Sequence, residues 1–228
     1  MEKRVKNTDE HGRPRTGNEG LIPKHGGFRK LKTFQLAEVI YDVTVRFCDK
    51  YIDPRSRTHD QMVQAARSGR QNIAEGSEDS ATSKKMEMKL TGVAKGSLGE
   101  LRLDYEDFLR QRGLPQWGPD HPALVRFKAR RCASLQDFRA WVAEEVKREK
   151  ENTDKHGQPR MGKAAMPGVR ESPCPSVFVA NGVLSLLNLC IHLLDRQLRA
   201  QADAFEQEGG FTERLYRRRS LRRQARNE

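Results

Sequence analysis

The chain has 228 residues, 36% hydrophobic and 32% charged, with 43 Lys and Arg against 31 Asp and Glu. That length suits one domain with extensions, the apolar share leaves part of the chain as tail, and a formal net charge of +12 favours polyanionic partners. Four cysteines (Cys48, Cys132, Cys174, Cys190) without C-x-x-C spacing exclude a disulfide framework or zinc site, and the polar first ten residues lack the apolar core of a secretory leader.

Residues 1–27 are polar, basic and rich in Gly, and are expected to be a disordered tail. They contain Asn7-Thr-Asp-Glu-His-Gly-Arg-Pro-Arg-Thr-Gly17, which returns as Asn152-Thr-Asp-Lys-His-Gly-Gln-Pro-Arg-Met-Gly162 with eight of eleven positions identical. Both copies read as non-helical duplicated spacers. A first helix is expected from about 28–30 to Tyr51, with Leu36, Ile40, Val43, Phe47 and Tyr51 on one stripe and Phe34, Ala37, Tyr41, Val45 and Cys48 beside it. Asp53-Pro54 ends it.

A second helix, over about 57–75, carries Met62, Ala66, Gly69 and Ile73 at +4, +3, +4 spacing, with Arg67, Arg70, Gln71 and Glu75 off the stripe. Gly76 reads as a left-handed cap, and the Ser/Thr/Asp chemistry of 77–82 as the next helix start. The third helix, about 82–112, has Leu90, Ala94, Leu98, Leu101, Tyr105 and Phe108 as its apolar face. Gly92, Gly96 and Gly99 recur within it at +4 and +3. Each interior Gly disfavours a helix by roughly 1 kcal/mol relative to Ala, so close approach by another helix is expected there.

Arg67-Ser-Gly-Arg-Gln-Asn72-Ile-Ala-Glu75-Gly76, read as R-S-x-x-x-N-I-A-E-G, and Gly96-Ser97-Leu-Gly-Glu100-Leu101, read as G-S-L-x-E-L, resemble two signature segments of a bacterial four-helix-bundle family. That family includes proteins encoded in intervening sequences of 23S rRNA genes and the accessory protein of diversity-generating retroelements. Residues 26–117 are similar to the subgroup with an added C-terminal suffix, and Gly209-Gly-Phe-Thr-Glu-Arg-Leu-Tyr-Arg-Arg-Arg219 to the suffix itself. The resemblance implies an all-α, antiparallel up-and-down four-helix bundle. Arg67, Gly69, Arg70, Asn72, Glu75, Gly76, Gly96, Ser97 and Glu100 are then structural, with Arg67 and Arg70 bridging to Glu75 or Glu100. It also implies a homo-oligomer, beside a reverse transcriptase or ribosomal particle.

Past a loop over 113–119, Asp120-His-Pro122 opens a helix expected to continue to about 150, with Arg126, Arg130 and Arg131 on its polar face. In simpler family members the chain passes directly to the last bundle helix, so 119–175, ending in a Pro/Gly-rich linker over 152–176, reads as an insertion. The last bundle helix is expected over 176–208. Asn181, Ser185, Asn188, His192 and Asp195 form a continuous polar stripe on it, facing solvent or a subunit neighbour, which argues against a membrane span. Gly209-Gly210 ends that helix, and 209–228 is an arginine-dense suffix containing Arg214, Arg217, Arg218, Arg219, Arg222 and Arg223. Arginine suits phosphate, because the planar guanidinium donates two parallel hydrogen bonds.

The sequence contains no Gly-rich phosphate loop, no G-x-S-x-G and no S-x-x-K, and no His has a Glu three residues before it as a di-iron bundle requires. The Arg-to-His spacing of small all-α nucleases occurs at Arg4 and His11 alone, in the tail. No catalytic residue, metal or cofactor is expected. The sequence reads as a cytoplasmic, non-enzymatic protein that binds nucleic acid, RNA ahead of DNA, through the suffix arginines first and Arg126, Arg130 and Arg131 second. The alternative is a protein-protein scaffold without nucleic-acid contact.

Overall fold

The computed structural model describes residues 27–156 and 174–227, and every regular element among them is helical. The expected tail up to 26, the first repeat copy and residues 157–173 of the second copy and linker lie outside the described residues. After a 3-10 turn at Phe28–Lys30 come α1 (Lys32–Tyr51), α2 (Arg57–Asp79), α3 (Lys84–Gln111), α4 (Pro122–Arg130), α5 (Leu135–His156), α6 (Pro175–Glu208) and α7 (Phe211–Asn227).

Four of these pack in a closed circuit: α1 on α2, α2 on α3, α3 on α6 and α6 back on α1. Each runs against the next. Asp49 near the end of α1 meets His59 near the start of α2 (3.3 Å), Ser68 of α2 meets Ser97 of α3, and Lys95 and Thr91 of α3 meet Asp195 and Gln201 of α6 in turn. Thr33 of α1 donates to Gln197 of α6 at 3.2 Å. The α1 stripe is buried as its periodicity requires, through Leu36, Ile40, Val43 and Phe47. Where α1 and α3 face each other across the core, Phe47 meets Phe108 edge to face and Tyr105 at a tilt. Tyr105 is fully buried, so its hydroxyl needs a partner; it donates to Thr44 (3.1 Å), which donates to its own Ile40 carbonyl (2.7 Å).

The corner between α2 and α3 differs from the sequence expectation. Gly76 is not a cap: α2 runs on to Asp79, and Gly76 is buried inside it, where an added Cβ would stand 3.3 Å from the Leu90 Cβ. The helix start lies at Ser83, whose hydroxyl accepts from the Met86 amide, with the turn closed by the Thr82 and Ser83 amides donating to Asp79. Gly69 makes the closest approach, since a Cβ there would meet Leu98 Cδ2 at 2.6 Å. Gly92, Gly96 and Gly99, by contrast, have nothing within 4 Å of an added Cβ. They lie on the side of α3 turned away from α2 and α6, so no close helix approach among the described residues explains them.

The expected single helix over 120–150 is two. Arg131 adopts a left-handed backbone (φ 52°), buried Cys132 tucks inward, and Ser134 and Asp137 form a reciprocal cap that starts α5. The second repeat copy, expected as non-helical, begins inside α5, which extends through residues 152–156. Asn, Thr and Asp are weak helix formers, not breakers; Gly157 and Pro159 follow. Both new helices contact α6. Phe127, Phe138, Trp141 and Phe178 form a second aromatic cluster, and Gly182 admits it: a Cβ there would lie 2.8 Å from Trp141 and 2.9 Å from Phe138.

α6 is long and apolar enough to cross a membrane by length and composition, and 61% of its most apolar window is buried within the fold. The expected polar stripe divides. Asn181 is buried, accepting from the Trp117 amide (2.7 Å) and donating to the Pro115 carbonyl (3.0 Å), whereas Asn188 and His192 are exposed.

Gly→Ala gains about 1 kcal/mol of helix propensity, while overpacking a rigid site costs about 1–3 kcal/mol. At concentrations too low for chains to associate, Gly96→Ala is therefore expected to raise the thermal midpoint and Gly182→Ala to lower it, measured by circular dichroism. Burial pushes the Cys48 and Cys190 thiols up to about 12 and Cys132 upward, while Cys174 is exposed. One thiol is expected to react rapidly with a chromogenic disulfide reagent in the native protein, and Cys174→Ser is expected to remove that reaction.

Candidate nucleic-acid interface

The suffix is a helix. Gly209 (φ 71°) stops α6, and Glu213 accepts from the Gly210 amide at 2.9 Å, placing a carboxylate at the start of α7 where the helix dipole favours one. Arg214 is half-buried and donates to the Ala81 carbonyl (3.2 Å), so it ties α7 to the α2–α3 corner and faces inward. Its Nε is buried without a hydrogen-bond partner among the described residues.

Beyond that anchor the helix turns its charge outward. Arg217, Arg219, Arg222 and Arg223 are exposed and Arg218 is half-buried. Tyr216 stands among them with 73% of its surface exposed. Glu213 is the sole carboxylate in α7, against seven arginines. Among the described residues no carboxylate pairs with Arg219, Arg222 or Arg223. Arg218–Arg222 and Arg219–Arg223 are like-charge i,i+4 pairs, each destabilising an isolated helix by roughly 0.2–0.5 kcal/mol. An external polyanion would remove that repulsion.

The second set of expected contacts lies elsewhere and is engaged. Arg126 makes a two-pronged pair with Glu145 (2.7 and 2.5 Å), and the hydrogen bonds to that carboxylate hold its guanidinium above the usual arginine range. Glu145 is buried, and Arg148 approaches it from the next turn at 3.6 Å. Arg130 pairs with Glu144 (2.7 Å), which the bond holds below the usual carboxylate range. Arg131 is exposed at the α4–α5 break and makes no ion pair among the described residues. Nothing in the sequence linked Arg126 to Glu145, because the pair joins two helices that the sequence read as one. The α4–α5 cluster packs near Phe178 and Asn181, while α7 leaves α6 after Glu208, so about 40 Å of helix separates the two basic regions.

The two signature segments meet face to face. Asn72 donates to the Ser68 carbonyl (2.8 Å) and hydroxyl (3.1 Å), and Ser97 donates to the Ser68 hydroxyl (3.2 Å), beside the Gly69–Leu98 contact. The expected arginine bridges are absent. Arg70 lies over the Tyr41 ring at 4.5 Å, Arg67 is exposed, and neither pairs with Glu75 or Glu100, both of which are exposed. Those carboxylates point to solvent from the outer faces of α2 and α3.

No protein-family model matches this chain, and neither a curated protein nor a solved structure is significantly similar to it.

Removing Arg126 leaves the buried Glu145 carboxylate with Arg148 alone. Arg126→Ala is expected to destabilise the fold by about 2 kcal/mol, below the full cost of breaking a buried pair because Arg126 is itself partly exposed. Urea unfolding checks this, and an unchanged midpoint would show the pair to be decorative.

Proposed function

We propose that the protein binds nucleic acid without catalysing a reaction on it, RNA ahead of DNA, and that α7 is the contact element. The observation that carries this reading is a seven-arginine helix with one carboxylate, held on the fold by Arg214 and projecting Arg219, Arg222 and Arg223 without a described counter-charge. Arg131 adds exposed charge at a distance; Arg126 and Arg130, already paired within the chain, are secondary.

We infer that α1, α2, α3 and α6 constitute an antiparallel four-helix bundle into which α4 and α5 are inserted. The closed circuit of contacts and the meeting of the two signature segments support it. On that reading the resemblance to 23S rRNA intervening-sequence proteins and retroelement accessory proteins suggests a cytoplasmic accessory role beside a reverse transcriptase or a ribosomal particle. The inserted helices and the suffix depart from the simpler retroelement accessory proteins. The mostly buried apolar window of α6 supports a core helix over a membrane-spanning one. The second reading, a protein-protein scaffold, draws on an exposed face of α3.

Filter binding of single-stranded RNA separates the two, using the intact chain and one ending at Gly210, each at two salt concentrations. The intact chain is expected to lose affinity by roughly 0.7–0.9 log units per log unit of salt for each phosphate contacted, and the shortened chain to bind at least tenfold more weakly. Arg219→Ala with Arg222→Ala and Arg223→Ala is expected to flatten the salt slope. Equal binding by intact and shortened chains, or none at low salt, would overturn the reading.

A further inference from the structure

We propose that the exposed face of α3 is a contact between two copies of this chain, which lie antiparallel across a two-fold axis near Gly96. One continuous stripe of α3 is exposed among the described residues. Lys85, Lys89, Gly92, Val93, Gly96, Glu100, Leu103 and Asp107 all fall within about 60° of the Gly96 direction at 3.6 residues per turn, and all are exposed. Two of them, Val93 and Leu103, are large hydrophobic side chains at 43% and 56% exposure.

The glycines alone would not say what covers this face; the charges do. The stripe is basic in its N-terminal half, through Lys85 and Lys89, and acidic in its C-terminal half, through Glu100 and Asp107. Lys85 and Asp107 lie equally far from Gly96, about 16 Å along the axis in each direction. A second α3 laid antiparallel therefore sets Lys85 opposite Asp107, and Lys89 within a turn of Glu100, on both sides of the axis. A parallel copy would oppose like charges. The same patch on both partners makes the contact self-complementary, as a two-fold interface requires.

The middle of the stripe suits the crossing. Gly92, Gly96 and Gly99 leave open space where a Cβ would be, so the two backbones can approach while Val93 and Leu103 flank the axis. This accounts for three interior glycines that packing among the described residues does not. The acidic half also carries Asp104, whose carboxyl is pushed up by partial burial and then by Asp107 and Glu100. Opposing lysines would relieve that crowding. The one counter-charge already present on the stripe is Arg110, which donates to Asp107 at 2.8 Å and would share it.

Sedimentation velocity of the full chain over a range of concentrations, without nucleic acid, tests this. The native chain is expected to dimerise. Lys85→Glu with Lys89→Glu is expected to weaken dimerisation about tenfold or more by placing like charges together, and adding Glu100→Lys and Asp107→Lys to restore it. Gly96→Leu is expected to abolish the dimer while leaving the helical circular dichroism intact, because no described residue lies within 4 Å of a Cβ built there. Gly96→Cys is expected to form an intermolecular disulfide on oxidation. A chain that stays monomeric, or an assembly that neither the charge reversal nor Gly96→Leu alters, overturns the proposal.

Discussion

The fold depends on how closely α2 can approach α3. At Gly69 the missing side chain lets Leu98 fill the space above the α2 backbone, and at Gly76, two turns on, Leu90 does the same. A Cβ at the first position would stand inside the Leu98 side chain, which is fully buried and has nowhere to retreat. The approach draws Ser68 and Ser97 within hydrogen-bond reach and fixes the α2–α3 turn, in which Ala81 is buried. Ala81 then supplies the carbonyl that fixes Arg214, so the placement of the arginine helix follows from two glycines in a different part of the chain.

α6 is the shared wall. Toward its start, Gly182 admits Trp141 and Phe138 and thereby the α4–α5 pair; at its far end, Gly209 breaks it so that α7 can turn away. The two basic regions reach different electrostatic outcomes for this reason. α4 and α5 pack on each other and on α6, which lines Arg126 and Arg130 up with Glu145 and Glu144 across the helix pair. α7 carries one carboxylate, at its first turn, more than one helical turn from Arg219, Arg222 and Arg223.

Helix existence was legible wherever an apolar stripe ran at helical spacing: α1, α2, α3 and α6 all occur within a few residues of their expected limits. Gly209 stopped α6 as read, because glycine adopts there a positive φ (71°) with an extended ψ (-177°) that no helix can continue through. Gly76 and the Gly92, Gly96, Gly99 run were misread for one physical reason. A glycine in sequence carries no sign of whether its missing Cβ serves a turn, an internal contact or an open surface, and only the neighbour across the gap decides. The α4–α5 break was legible in principle through the Ser134-Leu-Gln-Asp137 cap, but the apolar positions on either side keep nearly helical phase and hid it. Arg126–Glu145 had no sequence signal at all, since its partners meet through tertiary packing across a turn.

We propose that the outward arginines Arg219, Arg222 and Arg223 of α7, and not the basic surface as a whole, are the working surface of this protein. Amide hydrogen exchange of the full chain, with and without a saturating single-stranded RNA, decides between them. Slowed exchange confined to α7 and its anchor at the α2–α3 corner is the predicted result. Slowing centred on α4 and α5, or none in any helix, would contradict it.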